Sequence, residues 1–306
     1  MDQELKPKAS IKELFLNLGA VVALYTVVIS LINLLFSVIN TAYPKISEIG
    51  YYATESISWP VAILIIFFPI MILLMWFLEK DYAIAPEKRS LGIRKWLSYI
   101  TLFLAGIATA IDLVTVLYYF IDGQEMTTGF LLKVLAVLVV ALSVFIYFIS
   151  DIRGRLTSNH RKFWTGFASV LVVGSIIWGF AVIGSPRTQR LYKYDDAKVG
   201  DLINISSAVE SYYGLQNVLP KSLGDLSSIN YYIVQSDSQT GQSYEYIATG
   251  KTTYQLCAVF NKNSKDQANR TTVPYGGSSW SHPAGRHCFN MSVTPRGNTK
   301  PAFPAL

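Results

Sequence analysis

Apolar residues before about residue 185 form five long runs, after which the chain changes to short alternating stretches separated by Ser, Thr, Asn and Gly. The runs lie at approximately 12–40, 58–78, 97–121, 129–150 and 163–185. Each is close to the roughly 20 residues that a helix needs to cross a hydrocarbon core. Further on, Val199, Leu202, Ile205, Val209 and Tyr212 recur at three- and four-residue intervals. That spacing places them on one face of a helix over 195–213, with Gly214 and Pro220 as its stop signals. The stretch "SYEYIATGKTTYQLCAVF" alternates aromatic and β-branched residues on either side of Gly250 and Lys251, as a hairpin does. Tyr254, Leu256, Ala258 and Phe260 then share one face, and Cys257 points the other way, towards a further strand near "HCFNMSV". The expected fold is a membrane all-α bundle of five transmembrane helices over 1–185, then an extracytoplasmic α+β domain over 186–306. In that domain one amphipathic helix covers a small antiparallel sheet.

Local breaks refine this outline. Pro60 opens the second run, where a missing N–H costs little, whereas Pro69 falls inside it and marks a kink or a contact with a neighbouring helix. The first run begins too far in, and is too long, for a signal-peptide core, so it reads as a retained helix. The segment "GSPRTQ" at 184–189 is expected to interrupt the chain between the fifth run and the amphipathic helix.

Composition supports the membrane assignment: 51% of the 306 residues are hydrophobic, only 15% are charged, and the mean hydropathy is +0.34. The formal charge of +6 is concentrated in alternate loops. Lys6, Lys8 and Lys12 precede the first run; Lys80, Lys88, Arg89, Arg94 and Lys95 separate the second from the third; Arg153, Arg155, Arg161 and Lys162 separate the fourth from the fifth. The other loops hold only Lys45. Basic residues are retained on the cytoplasmic side, which predicts the N-terminus inside and the C-terminal domain outside. The charge is thus a topology signal with some attraction to anionic membrane lipid, and it gives no support to a nucleic-acid partner.

Both cysteines, Cys257 and Cys288, fall in the domain placed outside, where an oxidising compartment would pair them. Closing that loop is worth roughly 3 kcal/mol in the chain-entropy model. Two free thiols, or a metal held by His282, His287 and Cys288, are the alternatives, although that spacing fits no standard zinc pattern.

Two ionisable residues lie inside the apolar runs. Asp112 is roughly 13 Å from the outer end of the third, at about 1.5 Å per residue. Lys133 is about a turn inside the fourth and can snorkel outward. A charge in hydrocarbon costs upward of about 2.5 kcal/mol and is usually paired or functional. The short "IDGQEMTTG" link makes the two helices antiparallel neighbours, so Asp112 and Lys133 are expected to form an intramembrane polar pair. Its structural reading is a buried ion pair, or a protonated Asp112 bonded to Thr109 or Thr115. Its functional reading is a proton or ion relay.

Ser175 and Gly179 form a small-residue pair that permits close helix packing, although such pairs are common by chance. Asn204, Asn269 and Asn290 head glycosylation-type triplets, read as accidental. Trp59, Trp76, Trp96 and Trp164 sit near run ends, as interfacial anchors do, and "RGNTKPAFPAL" is expected to be a loosely ordered tail. The chain has no HExxH, GxSxG, Walker or Rossmann motif and only three His residues. No enzymatic activity, cofactor or small-molecule ligand is therefore expected.

The order "DDAKVGDLINISSAVESYY", "LPKSLGDL", "SQTGQSYEYIAT" and "TYQLCAVF" resembles that of the globular heads of type IV pilins and type II secretion pseudopilins, over about residues 188–262. Before Arg187, where a pilin has its leader and peptidase site, stands the fifth apolar run, so the resemblance implies a head held at the membrane. Residues 58–153, with "FPIMILLMWFLEKDYAIAPEKRSLGIRKWLSYITLFLAG" and "DLVTVLYYFIDGQEMTTGFLLKVLAVLVVALSVFIYFISDIR", resemble a multi-pass bacterial membrane family known only as a domain of unknown function. The resulting expectation is an inner-membrane structural or interaction component that displays a pilin-like head to an envelope protein partner through residues 186–306. A small proton- or ion-coupled transporter or channel using Asp112 and Lys133 is the alternative.

Overall fold

The computed structural model describes residues 11–43, 57–85, 92–228, 234–266 and 280–293. Lys6, Lys8, Lys45, Lys88, Arg89, Asn269 and the tail from Arg296 lie outside the described residues. The chain divides into two compact units, Met1–Gly184 and Ser185–Leu306.

The first unit consists of α1 (Ile11–Ala42), α2 (Ser58–Ile84), α3 (Gly92–Ile121), α4 (Thr128–Ile152) and α5 (Ser158–Ile183). All are long and apolar enough to cross a membrane. Three outrun their apolar stretches at the charged ends: α2 continues to Ile84, and α3 and α5 begin early, at Gly92 and Ser158. Thr127 and Thr157 cap α4 and α5 by accepting from the N–H groups of Phe130 and His160, which uses donors a helix start leaves unpaired. Helix α1 is the hub and packs against the other four. Its Leu34, Val38 and Ile39 are fully enclosed, and the core extends through Leu64 and Phe68 of α2 to Val140 and Phe148 of α4 and Val172 of α5. Pro69 lies within an unbroken α2 and is exposed.

Gly179 of α5 sets the approach to α1. A Cβ there would stand 3.3 Å from Leu34 Cδ1 and 3.5 Å from Val38 Cγ2, while Ser175 one turn earlier folds its hydroxyl back onto the Leu171 carbonyl. The small-residue pair is a real site of close packing.

The second unit opens with α6 (Pro186–Gln216). Ser185 caps it by accepting from the Thr188 N–H, and Pro186 occupies the first turn, where no N–H is needed. The helix therefore starts nine residues before the expected 195. It also runs through Gly214, contrary to expectation, and ends at Asn217 in the left-handed region with φ 56°. A single helical Gly costs only about 1 kcal/mol, and Asn is among the few residues that accept that conformation. Beyond a 3-10 turn at Leu223–Ser228, β1 (Glu245–Ala248), β2 (Thr253–Phe260) and β3 (Gly285–Ser292) form an antiparallel sheet in the order β1-β2-β3. Val199, Leu202, Ile205 and Val209 of α6 lie against Tyr254, Leu256 and Phe260 of β2 and Phe289 of β3. This buried layer is the stripe and the strand face that the sequence pattern marks.

Candidate functional site

Asp112 is buried on α3, 9% exposed, and its Oδ2 meets no hydrogen-bond partner. Neither neighbouring threonine reaches it: Thr109 and Thr115 donate their hydroxyls to the carbonyls of Ala105 and Ile111 in their own helix. Lys133 sits half-buried on α4 with its ammonium 5.8 Å from the ring centroid of Phe36 on α1. The fold thus makes α3 and α4 neighbours but forms no ion pair between Asp112 and Lys133, because Lys133 turns towards α1 instead.

The charges that the fold does bring together lie at the end where α1, α3 and α5 begin and α2 and α4 finish. Arg94 of α3 donates to Asp151 of α4 at 2.6 Å, and Arg161 of α5 reaches the same carboxylate at 3.5 Å. Arg161 also pairs with Glu79 of α2. The Arg94 guanidinium lies 4.7 Å over the ring of Tyr82, whose hydroxyl donates to Asn17 Oδ1 of α1 at 3.0 Å. All five helices meet in this network, and the Arg94, Asp151 and Arg161 side chains are only 12–15% exposed. At such shielding, opposite charges fix one packing and make any unpaired member costly. As sequence, these residues read only as loop charges, and the informative signal was opposite charges at the ends of different helices.

In the second unit Cys257 and Cys288 are joined, 4.0 Å apart at Cα and in direct register across β2 and β3. They face away from α6, yet Cys257 is only 1% exposed. Glu245 of β1 is the next partner in that row, and Arg286 closes over it with a bidentate pair to the Glu245 carboxylate. Hydrogen bonding from Arg286 holds the Glu245 carboxyl below the usual range. The disulfide takes up the Cys288 sulfur, and the other two residues of the metal alternative are held by aromatic contacts. His282 stacks on Phe260 at 3.7 Å and His287 lies edge-on to Phe289. Among the described residues no cluster of three or more metal-ligating side chains occurs.

An ion network the sequence reading did not single out fastens α6 to the sheet. Asp195, fully buried, accepts from the N–H groups of Asn261 and Lys262 and from the Asn261 side-chain amide, each near 2.8 Å. One turn on, the Lys198 ammonium donates to the Val259 carbonyl and to Gln239 Oε1, both at 2.9 Å. It lies 3.3 Å from Asp237 and 3.7 Å from Asp195. Asp237 further accepts from Thr240 Oγ1 and the Gln239 N–H. Burial acts to raise the Asp237 pKa, but these hydrogen bonds and Lys198 outweigh it and hold the carboxyl below its ordinary value. A signal for the network was present: Asp195 and Lys198 precede Leu202 by seven and four residues and so fall on the buried stripe itself. Further along α6, burial pushes the Tyr254 hydroxyl up to about 12, although Ser206, its hydrogen-bond partner at 2.9 Å, opposes the shift.

Taken together, these contacts fasten α6 to the sheet in the second unit and tie the five helices of the first to one another. Comparison with known proteins agrees in part with the resemblance of the first unit. A family model described as a domain of unknown function, DUF5671, covers residues 13–150, which takes in nearly all of α1 to α4. The match begins well before residue 58, so α1, the hub of the bundle, belongs to the matched domain. No curated protein and no solved structure matches the chain.

Proposed function

We propose that this chain is a multi-pass protein of the bacterial inner membrane whose five-helix unit anchors a pilin-like head on the outer side, where the head meets an envelope protein partner. The observation that carries the reading is the Cys257–Cys288 disulfide together with the absence of cysteine from residues 1–256. Disulfides persist in oxidising compartments, so a bonded pair confined to one unit favours that unit as the external one. Two further features support it. Arg94, Lys95, Arg153, Arg155, Arg161 and Lys162 all belong to the helix ends and links of one side of the bundle. The long helix laid on an antiparallel sheet is the arrangement expected of a pilin-like head.

The test is photo-crosslinking of the full chain in its host. A photoreactive residue replaces Val259 or Ile247, both exposed on the sheet face away from α6, or, as a control, Phe103 on α3. The expected result is one envelope protein captured from both head positions and not from residue 103. The same background from all three positions would sink the display reading.

A second reading, a small proton- or ion-coupled transporter, is favoured by the buried, unpartnered Oδ2 of Asp112. Lys133 does not reach that carboxyl, so the relay would begin from one acid. Its test is flux in liposomes, where Asp112→Asn abolishes transport if this reading holds.

A further inference from the structure

Between α2 and α5 the bundle leaves a groove of about 870 Å³, floored by α1 and α4, whose chemistry changes along its length. Its deep end is closed by apolar side chains, among them Leu31, Phe68 and Val172. Its other end carries Lys80, Arg161 and Lys162, with Glu79 as the acid among them. Glu79 is engaged by Arg161, which leaves the exposed Lys80 and Lys162 as a surplus of positive charge at the mouth. Lys80 stands 5.5 Å over the ring of Trp76 at the same rim.

The proportions identify an occupant. From Arg161 to Val172 on α5 is about 16 Å, and from Phe68 to Lys80 on α2 about 18 Å, at ~1.5 Å per residue. One leaflet of a ~30 Å hydrocarbon core is about 15 Å deep. The apolar part of the groove is thus one leaflet long, and its cations stand at the depth of the headgroups. Its volume lies within the roughly 300–1,000 Å³ of sites that enclose small molecules. We propose that this groove binds an anionic phospholipid, with an acyl chain between α2 and α5 and the phosphate against Lys80 and Lys162. An uncharged apolar ligand would leave the lysines unused, and free phosphate would leave the apolar length unfilled. Arg161, held by Glu79 and Asp151, positions the rim and is not needed as a free cation. The inference rests on the membrane reading given above.

The experiment is native mass spectrometry of the full-length protein titrated with phosphatidylglycerol or with phosphatidylcholine of the same chains. The expected result is that phosphatidylglycerol is retained at roughly tenfold lower concentration. The double variant Lys80→Gln/Lys162→Gln, at two exposed positions, removes that preference and leaves phosphatidylcholine binding unchanged. Ser143→Phe, on the floor of the groove, reduces both lipids, and Ala83→Trp at the rim serves if that variant does not fold. Equal retention of the two lipids by the wild type, an unchanged preference in the double lysine variant, or displacement by inorganic phosphate alone would each overturn the proposal. Alkaline carbonate washing of membranes separates the two readings. Extraction of the wild-type protein defeats the membrane reading, whereas a protein that resists extraction but shows no lipid preference defeats this inference alone.

Discussion

The Lys198 ammonium lies 3.3 Å from the Asp237 carboxylate inside the head, with the lysine side chain only 3% exposed. It is set against two buried acids, Asp195 and Asp237, in a network that joins α6, the 237–241 turn and the end of β2. Removing a single partner from such a group leaves charge uncompensated in low dielectric, at a cost of about 3–5 kcal/mol. Lys198→Met should therefore destabilise the head by about that much, read as lost hydrogen-exchange protection in α6 and β2. Unchanged protection would mean that the acids are satisfied without the lysine.

Acid should act on the same network. The Asp237 carboxyl is held below its ordinary value in the folded state, so its contribution is present above the unfolded carboxylate pKa of about 3.9 and is lost as pH falls through the lower folded value. Head protection should be flat from about pH 7 to 5 and decline below about pH 4. In Asp237→Asn that part of the decline should vanish. A variant that follows the wild-type acid profile would remove Asp237 from the account.

The disulfide makes a separable contribution. Cys257 and Cys288 are 31 residues apart in sequence, and opening that loop restores chain entropy worth about 3.7 kcal/mol to the unfolded head. Reduction, or Cys257→Ala/Cys288→Ala, should lower the head's unfolding midpoint by roughly 15 °C while the strands still form. The check is exchange protection in β2 and β3 with and without reductant. A head that loses both strands outright would show that the sheet depends on the bond for more than loop closure.

These contrasts indicate which parts of the fold the sequence could reveal. Periodicity reports burial, so the five apolar runs, the α6 stripe and the face carrying Tyr254, Leu256 and Phe260 were legible. Helix ends were less so, because Gly214 tolerates helix and the terminator is Asn217, whose left-handed backbone no pattern displays. Polar pairing was least legible. Asp112 and Lys133 are on adjacent helices, but the direction a long side chain takes depends on the third helix, and Phe36 of α1 draws Lys133 away. Arg94 and Arg161 looked like a topology signal because Asp151 and Glu79, which they pair with, lie on other helices.

That shielded cluster should outweigh an exposed pair of the same chemistry. Asp151 serves two guanidinium groups, Arg94 and Arg161, each about 15% exposed. Lys12 and Asp81 form a pair in which the lysine is 71% exposed. Surface pairs of that kind contribute about 0–1 kcal/mol, whereas a shielded carboxylate that leaves two cations behind costs several. Asp151→Ala should lower the melting midpoint in detergent well beyond Lys12→Ala, measured by thermal shift. Equal shifts would mean that solvent screens the cluster.

The contact of α5 with α1 allows a test in which size alone varies. Gly179 faces Leu34 and Val38, so a methyl group must press on flexible side-chain ends, whereas anything larger has to part the helices. Gly179→Ala exchanges a tight fit for the roughly 1 kcal/mol that Ala gains over Gly inside a helix, and should be close to neutral. Gly179→Leu should destabilise by about 1–3 kcal/mol through overpacking. Gly174 is on the same helix, and a Cβ there meets nothing within 4 Å, so Gly174→Leu supplies the control for the substitution itself. Thermal shifts in detergent for the three variants should separate Gly179→Leu from the other two. If Gly174→Leu falls with it, the cost lies in the helix and not in its approach to α1.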